Sequence, residues 1–388
     1  MTPEIYAGVN SLSDGVLSRF HLQHQFGLAI GRYHTDESAA WTRRITAPKT
    51  GVAFYYTDFG VSHKLGAAIS AMPILEFGLF NQNRLRMQAG LGASFHTKKY
   101  DFKTNPDNHA ISTRINWAFR WYVYYRIFSA KHIDWRIGGG YAHHSNGHTR
   151  LRNRGLNSFF LGISADIKTK KANKKISNYQ KPLSEHDETK AYAYLESRLG
   201  LGQNVLSTTY NHRQPVYAFS AEYGKVYHNT FKVGIGLSYR FYKQYYEYIE
   251  TGQFLVRKGE EFSRFRDNPF VYASNITLIL HGEVLLNHVG IDADIGYNLY
   301  KPAYKIDWRL NGGWEDTPKE IPENWILGEY NTIFKLKYRI ATRLGLKYYM
   351  LGTAKTPPHN FYVAAHINAN LGQADFSELS LGYVYSFK

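Results

Sequence analysis

The chain has no cysteine among its 388 residues. That excludes disulfide staples, thiolate nucleophiles and cysteine-based zinc sites. It also has no run approaching the roughly 20 consecutive apolar residues of a membrane-crossing helix, so a helical membrane bundle is excluded. Acidic residues are scarce beside basic ones, 31 against 47, for a formal net charge of +16. No secretory leader opens the sequence, since Met1-Thr2-Pro3-Glu4 leads straight into polar residues.

Aromatics are plentiful, with 32 Tyr and 23 Phe. The chain is also full of segments in which apolar and polar residues alternate. Leu85, Met87, Ala89, Leu91, Ala93 and Phe95 alternate with arginines, Gln88, two glycines and Ser94. Phe231 to Phe241 and Phe361 to Leu371 repeat the pattern. A period of two is that of a strand with unlike faces. These runs reach about 10 to 13 residues, longer than most strands of soluble domains and suited to a tilted strand crossing a bilayer. A water-soluble antiparallel sandwich would also alternate, but here the polar side is rich in Gly, Ser and charge and the apolar side ends in aromatics. The expected fold is all-β: a transmembrane antiparallel β-barrel of the outer membrane, ending in an alternating strand from Glu378 to Phe387. An exported barrel needs a leader, so the sequence is expected to be a mature or trimmed form.

Connections suggest a direction. Short ones fall near Asn81 to Asn83 and Phe128 to His132, long polar ones near Thr97 to His109 and Asn146 to Leu156. Outer-membrane barrels keep short turns on the periplasmic side and long loops outside. Lys168 to Lys190 breaks the alternation with a basic run and an acidic patch, and reads as a periplasmic connector. The simplest organisation is one barrel over residues 1–388, of about 14 to 16 strands, with halves 1–167 and 191–388 flanking the connector; two small barrels are the alternative. The positive charge is spread over loops and polar strand faces rather than gathered on a helix or an aromatic platform. That argues against nucleic acid and fits a surface facing phosphorylated lipopolysaccharide.

One hairpin carries chemistry. In Ile133 to Ser145 the odd positions include Trp135, Ile137, Tyr141, His143 and Ser145; in Asn157 to Ile167 they are Asn157, Phe159, Leu161, Ile163, Ala165 and Ile167. If Ser145 opposes Asn157, His143 opposes Phe159 and Tyr141 opposes Leu161, and His143, Ser145 and Asn157 share the lipid side at the outer end of the barrel. Imidazole is the common base for a serine nucleophile, and a third group should orient it. Asn157 fits that place, and Asn146, Asn153 and the Gly147 N–H are candidate oxyanion donors. A hydrogen-bonded turn accounts for a Ser and a His in a loop equally well. His143, His144 and His148 could bind a metal, but no Asp, Glu or Cys clusters with them in sequence. No cofactor is expected.

His143-x-Ser145-Asn146, followed by Asn153, Gly155 and Asn157 and then a strand, resembles the active-site segment of the PagL-type lipid A deacylases. Tyr55-Tyr56-Thr57-Asp58-Phe59-Gly60 and the loop from Lys98-Lys99-Tyr100-Asp101 to Thr104-Asn105-Pro106 resemble longer members of that family. The resemblance covers roughly residues 51–167. It implies an outer-membrane esterase that removes an acyl chain from lipid A without metal or cofactor, with His143 as base, Ser145 as nucleophile, Asn153 in the oxyanion hole and Asn146 beside it. The acyl chain would lie along Phe159, Leu161 and Tyr141. One departure stands out: the position in register with the family's acidic residue, twelve after the serine, is Asn157. An amide accepts from the imidazole but brings no full charge, which leaves three outcomes open: a slow enzyme, a drafted carboxylate such as Glu76 or Asp166, or a degenerate triad without activity. Arg150, Arg152 and Arg154, in the same loop, are candidate ligands for lipid A phosphates. A non-enzymatic porin or surface-binding barrel is the rival reading; no second His-x-Ser-Asn occurs in the other half.

Overall fold

The computed structural model describes residues 1–10, 21–34, 40–80, 84–169, 191–312 and 319–387. The first eight strands are β1 (Thr2–Asn10), β2 (Leu22–Tyr33), β3 (Lys49–Asp58), β4 (Ala67–Gly78), β5 (Leu85–His96), β6 (Ile115–Ala130), β7 (Ile133–Ser145) and β8 (Leu156–Ile167). They are antiparallel neighbours in chain order, and β1 pairs back onto β8 with Glu4 opposite Ser164, which closes a barrel. The next eight are β9 (Tyr192–Asn204), β10 (Gln214–Tyr227), β11 (Phe231–Tyr242), β12 (Ser274–Leu286), β13 (Val289–Tyr300), β14 (Ile340–Tyr349), β15 (His359–Asn370) and β16 (Gln373–Ser386). They close a second barrel through β16 and β9, with Ser377 opposite Gln203. The described residues therefore form sixteen strands in two closed barrels, not one barrel over residues 1–388. Alternation specifies strands but leaves open which edges meet.

Inward positions explain the small closure. An eight-stranded barrel leaves an interior just wide enough for side chains, and both interiors here are filled by bulky ones. In the first, Arg120 donates to Glu4 at 2.9 Å and Gln25 at 2.7 Å and lies over the Tyr122 ring, 3.4 Å from its centroid. Glu76 binds Arg86 at 2.6 Å and Arg136 at 2.9 Å, and Asp166 binds Lys49 at 2.7 Å. In the second, Lys347 joins Glu196 and Glu283, while Arg343 joins Asp292 and Asp294. The rival picture of a second half enlarging one pore fails on this packing. Glu76 and Asp166 are committed to these lumen pairs, so neither serves the His143 site.

The outward positions are apolar. Phe159, Leu161 and Ile163 of β8 are 52 %, 64 % and 51 % exposed, and Val233, Ile235 and Leu237 of β11 continue the theme on the second barrel. No helix among the described residues is long and apolar enough to cross a membrane. A closed barrel satisfies every backbone group without one, so its greasy outer wall can face lipid. The chain is a β-barrel protein of the outer membrane.

The described connections of the first barrel differ in length between its two ends; the short one expected near Asn81 to Asn83 lies outside the described residues. Lys131 and His132 alone join β6 to β7, whereas residues 97–114 and 146–155 form the long connections at the other end. The connection after β2 is an exception at the short-turn end, carrying a small helix, Ala40–Arg44. Of the expected connector, residues 170–190 lie outside the described residues. By contacts, residues 1–146 and 152–187 form one unit, and residues 147–151 with 188–388 the other. The second unit has a cap of its own: helices Lys243–Glu250 and Tyr304–Asn311 contribute Tyr245, Tyr248, Ile249, Ile306 and Leu310 to a buried cluster that reaches Val216 and Phe376.

Candidate active site

The β7–β8 hairpin has a different register from the one expected. His143 pairs with Asn157, Tyr141 with Phe159 and Gly139 with Leu161; the last pair toward the loop is His144 with Leu156. Ser145 has no partner in β8 and pairs with Trp117 of β6 instead. The cause lies at Gly155. It adopts φ +75°, a left-handed conformation that favours glycine, and its N–H donates to the Ala110 carbonyl at 3.0 Å, so it leaves the ladder. The shift is two residues, so parity survives and the predicted side chains keep their face.

This register puts His143 directly across from Asn157. His143 Nδ1 is 2.7 Å from Asn157 Oδ1, and the Tyr141 hydroxyl donates to the same oxygen at 2.6 Å. The Tyr141 hydroxyl is also 3.4 Å from His143 Nδ1. With Nδ1 donating to the amide oxygen, His143 Nε2 carries the lone pair of a base. Gly155 lies against that edge of the ring: a Cβ added there would sit 2.9 Å from His143 Cε1. Ser145 is only 3 % exposed, and its Oγ has no hydrogen-bond partner among the described residues. The structure thus joins His143 to Asn157 and leaves the Ser145 hydroxyl uncommitted, without a Ser145–His143 hydrogen bond.

The loop after Ser145 is held by its own asparagines. The Asn146 N–H donates to Asn153 Oδ1 at 2.9 Å, and Asn146 Nδ2 donates to Ser112 Oγ at 2.9 Å. Asn146 therefore spends its backbone N–H and one side-chain hydrogen on structure. Asn153, its carbonyl fixed, keeps an oriented amide group. Beneath the loop, Phe59, Val61, Leu65, Ala68, Ala110, Ile111 and Leu156 form a buried cluster, and the Arg154 N–H donates to the His109 carbonyl at 3.1 Å. His144 points to the lumen side, where its Nδ1 is 3.0 Å from Ser94 Oγ and its ring meets His96 edge-on. It is not part of a metal cluster with His143.

The three arginines are not a uniform grip. Arg152 is half-buried, bonded to His109 and set over the Tyr100 ring at 5.1 Å. Arg154 is exposed, as is Arg150, which belongs to the second unit. Ser112 and the Tyr141 hydroxyl have site contacts that spacing did not reveal. Tyr141 stood two residues before His143 on the same face, which was a signal, but its role depends on the register. Ser112 comes from a distant loop with no motif. Among the described residues one group has metal-ligand geometry, His281, Asp292 and Asp294 in the second barrel. His281 Nδ1 is bonded to Asp294 at 2.7 Å and Arg343 to both aspartates, so salt links already account for these groups.

Residues 20–166 match the model of the lipid A 3-O-deacylase (PagL) family. Among solved structures, that of the outer membrane enzyme PagL is 14 % identical with a TM-score of 0.31, covering 44 % of this chain and all of that one. A mutant of Rh. blastica porin is 9 % identical with a TM-score of 0.18, covering all of this chain and 99 % of that one. No curated protein matches. The family match runs over β2 to β8, so this stretch of the first barrel is similar to the PagL lipid A 3-O-deacylase family.

Proposed function

We propose that the first barrel hydrolyses an ester-linked acyl chain of lipid A, at the 3-O position that the family's name gives. The observation that carries this reading is the convergence of His143 and Asn157, 2.7 Å apart, one turn-end away from a buried and unpartnered Ser145 hydroxyl on the lipid side of the wall. His143 Nε2 takes the Ser145 proton as Oγ attacks the ester carbonyl, and the imidazolium gives it to the sugar oxygen as the C–O bond breaks. Water, deprotonated by His143, then attacks the acyl–Ser145 ester, and the imidazolium returns that proton to Ser145 Oγ as the fatty acid leaves. The Asn153 amide, oriented by its bond from Asn146, donates to the oxyanion. The acyl chain lies along Phe159 and Leu161, which already face lipid, so the substrate need not leave the membrane. No step needs a metal or cofactor. Lipid A phosphates meet Arg152 and Arg154.

Mass spectrometry of lipid A incubated with purified protein tests this. The parent releases one acyl chain, and Ser145→Ala, folded in detergent, releases none above the blank. Equal release by both would overturn the reading.

A further inference from the structure

We infer that Tyr141 is a positioning residue, which stands in for the missing acidic member of the triad by fixing the orientation of the Asn157 amide; this rests on the hydrolytic reading above. Unlike a carboxylate, an amide has two unlike ends. With Oδ1 toward the imidazole, Nδ1 must carry the proton and Nε2 is free to act as base. With Nδ2 there instead, Nδ1 must accept, the proton moves to Nε2, and the ring cannot take the serine proton.

Something must therefore choose between the two ends. Tyr141 does so. Its hydroxyl donates to Asn157 Oδ1 at 2.6 Å, beside the 2.7 Å contact from His143 Nδ1, so two donors converge on one oxygen that has two lone pairs. Turning the amide would face Nδ2 to both and strip the tyrosine proton of its acceptor. The site sits among rings, Phe159 at 5.4 Å and Phe119 at 6.3 Å from Tyr141, where such a loss is costly. The two hydroxyl and imidazole donors come from positions i and i+2 of β7, and the register places Asn157 opposite the second of them. A carboxylate at 157 would make the selector superfluous, because both of its ends accept.

The test is a double-mutant cycle of Tyr141→Phe and Asn157→Asp, read as kcat and KM on lipid A. Phenylalanine keeps the ring that the acyl chain touches, so KM holds while kcat falls about 10-fold or more, the value of one buried donor's acceptor. In the Asn157→Asp background the same change costs less than about 3-fold, since no orientation remains to be chosen. A merely structural tyrosine would cost the same in both backgrounds, and that result overturns the inference while leaving hydrolysis intact. Nitrogen NMR of labelled histidine, with His143 assigned by His143→Gln, reads the tautomer without any turnover. The Nδ1–H form is expected in the parent and a mixture in Tyr141→Phe; an unchanged Nδ1–H form in the variant overturns the proposal even if lipid A is not cleaved.

Discussion

At the scale of single residues, the site turns on what faces the His143 ring. An amide partner aligns the imidazole but cannot compensate its positive charge, and in a serine protease replacing the triad aspartate by asparagine costs ~10⁴ in kcat, largely through the wrong tautomer. Here Tyr141 already guards the tautomer, so only the electrostatic part is missing. Asn157→Asp is expected to raise kcat about 10-fold, measured as acyl release from lipid A. Gly155 acts from the other side. Alanine there meets both the His143 ring and the His144 carbonyl, at 2.9 and 3.0 Å, and must hold a left-handed backbone. Gly155→Ala should lower turnover by at least about 10-fold by tilting the imidazole, while heat-modified gel mobility shows the barrel still closed.

At the scale of elements, each strand carries its own division of labour: outward side chains meet lipid and inward ones build a charged lattice. Glu76 holds two guanidinium groups at once, Arg86 and Arg136. Removing it leaves both cations buried, a loss that typically costs about 3–5 kcal/mol. Glu76→Ala should therefore lower the urea midpoint of the first barrel in detergent, whereas Glu76→Gln, which keeps an acceptor, should cost less. In the cap of the second unit, burial raises the Asp307 carboxyl above the usual carboxylate range, against the hydrogen bond it accepts from Asn311 at 2.6 Å. The folded cap thus holds this proton more tightly than the unfolded chain. Its stability is highest below the unfolded value of ~4 and falls as pH rises through the raised folded value. Asp307→Asn should flatten that fall, read by hydrogen exchange in Tyr304–Asn311 across the acid range.

At the scale of the whole molecule, two closed barrels replace one. Each satisfies its own backbone hydrogen bonds, so neither needs the other's strands. Both lumens are packed with paired charge and tyrosine, and the reconstituted protein should show no conductance steps in a planar bilayer at neutral pH. Stable single-channel openings would contradict that packing. Some of the chain's basic side chains are thus spent inside, where Arg120, Lys232, Arg343 and Lys347 face carboxylates.

The sequence alone determined strands, faces and the motif, because period-two alternation is written residue by residue and survives any choice of register. It showed His143, Ser145 and Asn157 on one face, and the loops that mark the outer end. Which edges close, and which residue stands opposite which, are matters of pairing between distant segments, and no local pattern encodes them. Only the tertiary structure decided that β1 meets β8, and that Gly155 leaves the ladder and brings Asn157, rather than Phe159, across from His143. Sharing that register, the Tyr141 hydroxyl reaches the same amide oxygen.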